Sequence, residues 1–229
     1  PTVGLTTSEA GTQASFSVVL NTLPTHPVSM AIESGDDSEL SISPDNLEFL
    51  VSTWNTPQTV TVSGLDDWVD DGDQEVVIVV QPAESSDPNY DGLNPEDVTA
   101  INEDNDESGV SVSPVSGLST TEGGGSAQFT LVLTSRPSSS VSISMASSDV
   151  GEGVVSESSV TFSPSGWSSP KTLTVTGVDD SVDDGPQSYS VITNAATSAD
   201  PLYSGLDPSD VSLTNNDDDT AGVLVSPTS

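Results

Sequence analysis

Short runs in which apolar and polar residues alternate recur along the whole chain. In AQFTLVL (127–133) and KTLTVTG (171–177) the apolar residues occupy alternate positions, which is the period of a strand with one buried face. Gly, Pro, Asp and Ser, which favour turns, cluster between these runs. The pattern therefore predicts an all-β chain of short strands.

The strand signals are most regular in the second half of the chain. Seven short strands in about 110 residues are typical of an immunoglobulin-like Greek-key sandwich. Turns are expected at Glu122–Gly125 and Ser163–Trp167. The strands are predicted near 109–113, 127–133, 141–146, 160–162, 171–177, 187–193 and 211–214. The predicted core consists of Phe129, Leu131, Leu133, Val141, Ile143, Phe162, Leu173, Val175, Tyr189 and Val191.

The sequence contains two copies of one repeat, displaced by 113 residues without a gap. Trp54 corresponds to Trp167, and DPNYDGLNPEDV returns as DPLYSGLDPSDV. Self-similarity at a fixed period indicates tandem structural units. We therefore expect two tandem seven-stranded sandwiches, the first over 1–106 with its first strand missing and the second over 107–219.

A third copy begins near the end of the chain, where GVLVS (222–226) repeats GVSVS (109–113). The chain opens at Pro1 without Met, so we expect a mature piece or a window of a longer array. Two interpretations of 220–229 remain open. It is the first strand of a third repeat, or Gly222–Ser226 is donated to a neighbouring subunit by β-strand addition. The expected partners are neighbouring repeats or neighbouring subunits.

The net charge of −34, with only two Lys or Arg residues, excludes several classes of partner. A protein needs clustered basic residues to bind nucleic acids or anionic membrane surfaces. No apolar run approaches the roughly 20 residues that span a bilayer, so membrane insertion is not expected. The acidic residues cluster in a few loops and leave the strand-like runs almost uncharged, which favours cation binding over disorder.

Three acidic segments recur in each copy, and a sandwich can bring all three to one end. Two carboxylates about 5 Å apart repel by roughly 3 kcal/mol at an effective dielectric near 20, so the gathered acids require a counter-ion. Calcium takes six to eight oxygen ligands at flexible geometry, whereas zinc prefers Cys or His; the chain has no Cys and one His. The segments are Glu9, Asp66–Glu75 and Asn102–Asp106, then Glu122, Asp179–Gly185 and Asn215–Asp219.

The order of these segments, ending in DDDTAG (217–222), resembles the Calx-β domain. This calcium-binding sandwich was first recognised in sodium–calcium exchangers and also occurs in large bacterial surface proteins. The resemblance implies calcium ligands in the first copy at Glu9, Asp66, Asp67, Asp70, Asp73, Asp104 and Asp106. In the second copy it implies ligands at Glu122, Asp179, Asp180, Asp183, Asp217, Asp218 and Asp219.

Two departures between the copies predict different affinities. Pro186 stands where the first copy has Asp73, so the second site is expected to lose one ligand or one ion. Asn105 stands where the second copy has Asp218, which keeps an oxygen but removes a charge.

The function expected from these features is mechanical. The chain is predicted to be a calcium-binding structural repeat of an extracellular adhesin or surface filament, in which calcium stiffens the joints between repeats. A calcium-sensing regulatory module and a carbohydrate- or protein-binding module remain alternatives. We expect no enzymatic activity, because no carboxylate pair stands out as the acid and nucleophile of a glycosidase.

Overall fold

The computed structural model describes residues 2–226. These residues divide into two compact units that meet in sequence at Asp106 and Glu107. Within the described range the regular structure consists of strands, and no helix there is long and apolar enough to cross a membrane. The predicted all-β class is confirmed.

The first unit has two sheets. One has the order β1-β9-β7-β3-β5, with the short β8 also paired to β3, and the other has the order β2-β6-β4. β1 and β9 are parallel, and the other paired strands of this unit are antiparallel. The strands are β1 (Leu5–Ser8), β2 (Gln13–Val18), β3 (Val28–Ser34), β4 (Leu40–Ser43), β5 (Asn46–Phe49), β6 (Gln58–Gly64), β7 (Gln74–Val80), β8 (Glu84–Ser85) and β9 (Val98–Glu103).

The second unit repeats this topology with one additional edge strand. Its sheets have the orders β11-β19-β17-β13-β15, with β18 paired to β13, and β10-β12-β16-β14, an arrangement typical of immunoglobulin-like Greek-key sandwiches. The strands are β10 (Val110–Ser113), β11 (Leu118–Thr121), β12 (Ser126–Leu133), β13 (Val141–Ser147), β14 (Gly153–Val155), β15 (Ser159–Phe162), β16 (Lys171–Gly177), β17 (Gln187–Thr193), β18 (Thr197–Ser198) and β19 (Val211–Asn216).

All seven strands predicted in the second copy are present, and the structure adds three. The additional strands β11, β14 and β18 have four, three and two residues. Such short segments do not establish an alternation that can be recognised in the sequence.

One apolar core fills the space between the two sheets of each unit. The ten predicted core residues of the second unit are all buried, with exposed fractions of 4% or less. Trp54 and Trp167 are partly buried and pack against the first and second core respectively.

The parallel pair β1 and β9 determines where the acidic segments meet. Ser8 at the end of β1 lies opposite Glu103 at the end of β9. Because parallel neighbours end at the same edge of a sheet, Glu9 emerges next to Asp104–Asp106. The second unit repeats this arrangement, with Thr121 of β11 opposite Asn216 of β19.

The last residue of β6, and of its counterpart β16, is a glycine because the chains approach closely there. A Cβ on Gly177 would lie 2.3 Å from the Thr121 carbonyl oxygen and 2.5 Å from Asn215 Oδ1. Gly64 has the same relation to Ser8 and Asn102. This approach brings the acidic loop after β6 or β16 to the end of the parallel strand pair.

We expect Gly177→Ala to lower the free energy of unfolding of the second unit by about 1–3 kcal/mol, the usual effect of overpacking. The added methyl group must push backbone atoms apart. Urea denaturation measures the loss. Gly166→Ala is the control, because its Cβ would meet only the Ser163 hydroxyl, at 3.2 Å; equal losses in both variants would contradict the explanation.

Candidate metal centre

A buried asparagine connects the elements that carry the acids of the first unit. Asn102 is 1% exposed. Its Oδ1 accepts a hydrogen bond from Thr7 Oγ1 at 3.0 Å, and its Nδ2 donates to the Leu65 carbonyl oxygen at 3.2 Å. Nδ2 also donates to Glu39 Oε2 at 3.0 Å. One amide therefore joins β1, β9 and the start of the acidic loop.

The second unit has the same connection through Asn215, which is also 1% exposed. Thr120 Oγ1 donates to Asn215 Oδ1 at 2.9 Å, and Asn215 Nδ2 donates to the Val178 carbonyl oxygen at 3.0 Å. A longer bond of 3.3 Å runs from Nδ2 to Glu152 Oε2. The scaffold of the acidic end is thus repeated in both units.

The first acidic centre consists of Glu9, Asp104 and Asp106. Each residue contributes one carboxylate oxygen, and the three oxygens lie within 4.8 Å of one another. Glu9 is 5% exposed, and its Oε2 accepts a hydrogen bond from the Asn105 amide at 3.2 Å. Asp104 accepts from the amides of Asp106 and Gly72, both at 2.7 Å. Asp106 Oδ2 is buried without a hydrogen-bond partner among the described residues.

The second acidic centre consists of the corresponding residues Glu122, Asp217 and Asp219, again within 4.8 Å. Glu122 is 3% exposed, and Asp217 accepts from the amides of Asp219 at 2.7 Å and Gly185 at 2.6 Å. Asp219 Oδ2 is buried and, within residues 2–226, has no hydrogen-bond partner. Burial and the missing partner therefore occur at the same position in both copies.

The acidic loop of the first unit lies against this centre. Asn105 Nδ2 donates to Asp66 Oδ1 at 3.3 Å, and the Asp104 amide donates to Asp73 Oδ1 at 3.1 Å. All three acidic segments of the copy therefore meet. No group of three carboxylates within 4.8 Å among the described residues includes Asp66, Asp67, Asp70 or Asp73, and their assignment as ligands stays a prediction.

In the second unit more of the predicted acids come together. Glu122 also forms a group with Asp179 and Asp218, whereas Asp183 Oδ2 accepts from the Ala221 amide at 2.6 Å. Pro186, at the position of Asp73, has no side-chain acceptor for the backbone that follows β19. The loops around the two centres therefore differ, and the unequal affinities stay a prediction.

The structure adds a third group in the second unit, formed by Glu152, Asp180 and Asp184. Of these, only Asp180 was predicted as a ligand. The repeat itself contains the missing signal, because Glu39 and Glu152 are separated by the same 113 residues as the other matched acids. Asp184 lies inside the predicted acidic loop and corresponds to Asp71.

Burial and mutual repulsion raise several carboxyl pKa values in the first unit. Burial, with repulsion from Asp104 and other acids, raises the pKa of Glu9 to about 7, although the Asn105 amide opposes the shift. Burial and neighbouring acids raise the pKa of Asp106 and of Asp71 in the same way. Residues 1–106 contain no Lys or Arg, so neither residue type within this unit can balance these charges.

The second unit shows the same directions at corresponding residues. Burial, followed by repulsion from nearby acids, raises the pKa of Glu122 and of Asp219. The pKa of Asp217 is lowered, mainly by the hydrogen bonds from the Asp219 and Gly185 amides. The second centre therefore combines one carboxylate held in its charged form by amides with two that are destabilised when charged.

Comparisons with known proteins found similar solved structures. No protein-family model matches the sequence, and no curated protein matches it significantly. The chain is similar to the calcium-binding domain CBD12 of CALX1.1, at 13% identity and a TM-score of 0.44, with 93% of this chain and 97% of that chain covered.

Two further solved structures are similar to this chain. The apo form of the Calx CBD1 domain has 15% identity and a TM-score of 0.39, covering 50% of this chain and 100% of that chain. Domains 1–6 of the surface layer protein SbsC have 16% identity and a TM-score of 0.36, and the match covers 85% of this chain and 20% of that chain.

We expect Glu9→Gln to raise the melting temperature of the calcium-free protein at pH 8 by roughly 5 °C, because about 1 kcal/mol corresponds to 4–8 °C in a domain of this size. The folded-state pKa of Glu9, about 7, exceeds the ordinary value of 4.5. The protonated Glu9 carboxyl therefore makes its full contribution to the free energy of unfolding below pH 4.5, and this contribution is lost as the pH rises through 7.

The gain from Glu9→Gln should accordingly vanish near pH 4.5, where the wild-type carboxyl is protonated. Glu48→Gln, which removes a charge from the exposed face of β5, is the control and should show no such pH dependence. Differential scanning calorimetry at both pH values measures the effect. A gain that is equal at both pH values would refute the assignment.

Proposed function

We propose that the chain is a non-enzymatic calcium-binding structural repeat whose ions bind at the first and second acidic centres. The supporting observation is the pair of buried carboxylate oxygens, Asp106 Oδ2 and Asp219 Oδ2, that have no hydrogen-bond partner within residues 2–226. A buried carboxylate requires a hydrogen bond or a counter-charge. Each of these oxygens lies in a group of three carboxylates, which a bound cation would stabilise.

The donor chemistry favours calcium. Each centre offers carboxylate oxygens from loops, and further oxygens from Asp66 and Asp73, or from Asp179, lie close to it in the structure. Calcium accepts six to eight such ligands at variable geometry, whereas magnesium requires a near-ideal octahedron and keeps several waters. Zinc sites use Cys or His. The sequence has one His, His26, which lies in another loop with its Nδ1 3.2 Å from Thr25 Oγ1.

Calcium at these centres would act mechanically. The first centre joins the ends of β1 and β9, and its last ligand, Asp106, immediately precedes Glu107, where the second unit begins. A bound ion would hold Asp104–Asp106 against Glu9 and restrict the backbone that enters the next unit. We assign this role to an extracellular adhesin or surface filament, where calcium sites bind typically at 10⁻⁴–10⁻³ M.

We expect Asp106→Asn to weaken calcium binding at the first centre at least tenfold, which corresponds to about 1.4 kcal/mol. The substitution removes the charge of a proposed ligand whose Oδ2 is buried and leaves its size nearly unchanged. Trp68 lies inside the first acidic loop and is 57% exposed, whereas the second copy has Ser181 there. Its fluorescence therefore reports on the first centre, while calorimetric titration reports on both.

Asp219→Asn is the matched variant and should remove the calorimetric binding of the second centre while the Trp68 signal persists. Glu48→Gln tests for a general charge effect and should change neither. Calcium binding that survives both Asp106→Asn and Asp219→Asn unchanged would contradict the proposed sites. Equal binding of magnesium at both centres would contradict the selectivity.

We expect calcium to narrow the range of distances between the two units. Nitroxide labels on Val51→Cys and Leu202→Cys, both at exposed positions in a chain without Cys, allow pulsed electron paramagnetic resonance to measure the distribution. With chelator the distribution should broaden, since the backbone at Asp106 is then released. An unchanged width despite confirmed calcium binding would refute the mechanical role and leave the binding sites intact.

A further inference from the structure

The two units differ at one edge of their smaller sheets. In the second unit β10 runs antiparallel to β12, with Val110 opposite Leu133 and Val112 opposite Leu131. The counterpart of β12 in the first unit is β2, which pairs with β6 on one side. Among the described residues no strand pairs with its other edge.

The open edge leaves β2 shorter than its counterpart. β12 extends over Ser126–Leu133, whereas β2 ends at Val18. By the repeat register, Val19 and Leu20 correspond to the last two residues of β12. Pairing with β10 therefore accounts for the additional strand length in the second unit.

A groove with a volume of about 380 Å³ lies at the end of β2 and along the residues that follow it. Its lining includes Val18–Thr22, Tyr90 and Leu93. Leu93 is 53% exposed, whereas its counterpart Leu206 is partly buried against the second core. Thr22 is likewise exposed, and its counterpart Ser135 is fully buried. The first unit thus exposes apolar surface that the second unit covers.

The floor of this groove is already formed. Tyr90 Oη donates to the Thr22 carbonyl oxygen at 2.5 Å and accepts from the Thr22 amide at 3.1 Å. Tyr203 makes the same two bonds with Ser135, at 2.6 and 3.1 Å. The edge therefore keeps the geometry that accommodates a strand in the second unit, although no strand of the described residues occupies it.

The chain contains a segment with the sequence that this groove requires. Gly222–Ser226 reads GVLVS and matches the GVSVS that contains β10. Val223, Leu224 and Val225 are 91%, 92% and 86% exposed and belong to no strand in this structure. Three adjacent exposed aliphatic side chains favour pairing with a sheet edge.

We infer that Gly222–Ser226 of a second copy of this chain binds the groove of the first unit as an additional strand, antiparallel to β2. In the register of β10, Val223 lies opposite Leu20 and Val225 opposite Val18, with both valines turned toward the core. Leu224 then faces outward beside Val19, which is 43% exposed. β-strand addition supplies main-chain hydrogen bonds, and the alternate side chains determine the register.

Such a contact is heterologous, because the segment and the groove are different surfaces of the same molecule. Heterologous contacts form closed rings or open filaments. This association uses neither acidic centre and does not depend on calcium binding. It predicts that the 1–229 polypeptide assembles head to tail as its concentration rises.

Sedimentation velocity of the 1–229 polypeptide over a hundredfold concentration range tests this inference. Val223→Asp combined with Val225→Asp should abolish assembly, because both charges would enter the core. Leu224→Ser is the control. It creates the GVSVS sequence of the second copy and should assemble like the wild type, since this position faces solvent.

A third variant fills the groove within the same chain. It carries ESGVSVS, the sequence of 107–113, directly ahead of Pro1, so that the spacing to Pro1 equals that to Pro114. This variant should be monomeric and have a higher melting temperature. Hydrogen exchange at Val19 and Leu20 should slow at least tenfold relative to the Val223→Asp, Val225→Asp double variant.

Two results would overturn the inference. A wild-type polypeptide that stays monomeric over the whole range would show that the segment does not bind a second copy. Assembly that persists in both the double variant and the groove-filled variant would show that association uses other surfaces.

Discussion

Asn102 and Asn215 each place a side-chain amide in the buried space between the parallel strand pair and the start of an acidic loop. The amide oxygen accepts a hydrogen bond from a threonine hydroxyl and the amide nitrogen donates one to a backbone carbonyl oxygen, so its polar atoms are paired. Without this connection the acidic loops would be free to separate, because their charges repel. The geometry of each centre therefore depends on a neutral hydrogen-bonded residue that binds no ion itself.

The apolar sandwich stabilises an arrangement that its charges oppose. Burial raises the pKa values of Glu9 and Glu122, and the carboxylates around them increase the effect. Backbone amides offset part of this repulsion at Asp104 and Asp217. Negative charge remains concentrated beside Asp106 and Asp219 despite these amides. The first unit contains no Lys or Arg that could reduce it.

Much of this fold was predictable, because alternation and turn residues are local signals. The predicted bounds of β16 and β17 agree with the structure, and the predicted core is confirmed. The meeting of the acidic segments followed from the topology of a sandwich. Glu152 was missed although it matches Glu39 in the repeat, because only the folded chain brings it close to Asp180 and Asp184. In the sequence, the open edge of β2 corresponds to the missing counterpart of β10. Its groove could not be predicted, because Val18–Thr22, Tyr90 and Leu93 come together only in the fold.

The gapless register has a consequence for how such a chain evolves. β10 follows the acidic segment of the preceding copy within the same 113-residue period. A gene that gains or loses whole periods by unequal recombination therefore transfers an edge strand and an acidic segment together. Wherever the crossover falls within the period, the repeats inside the new array retain matching edges. Array length can change between generations without new interfaces having to arise by mutation.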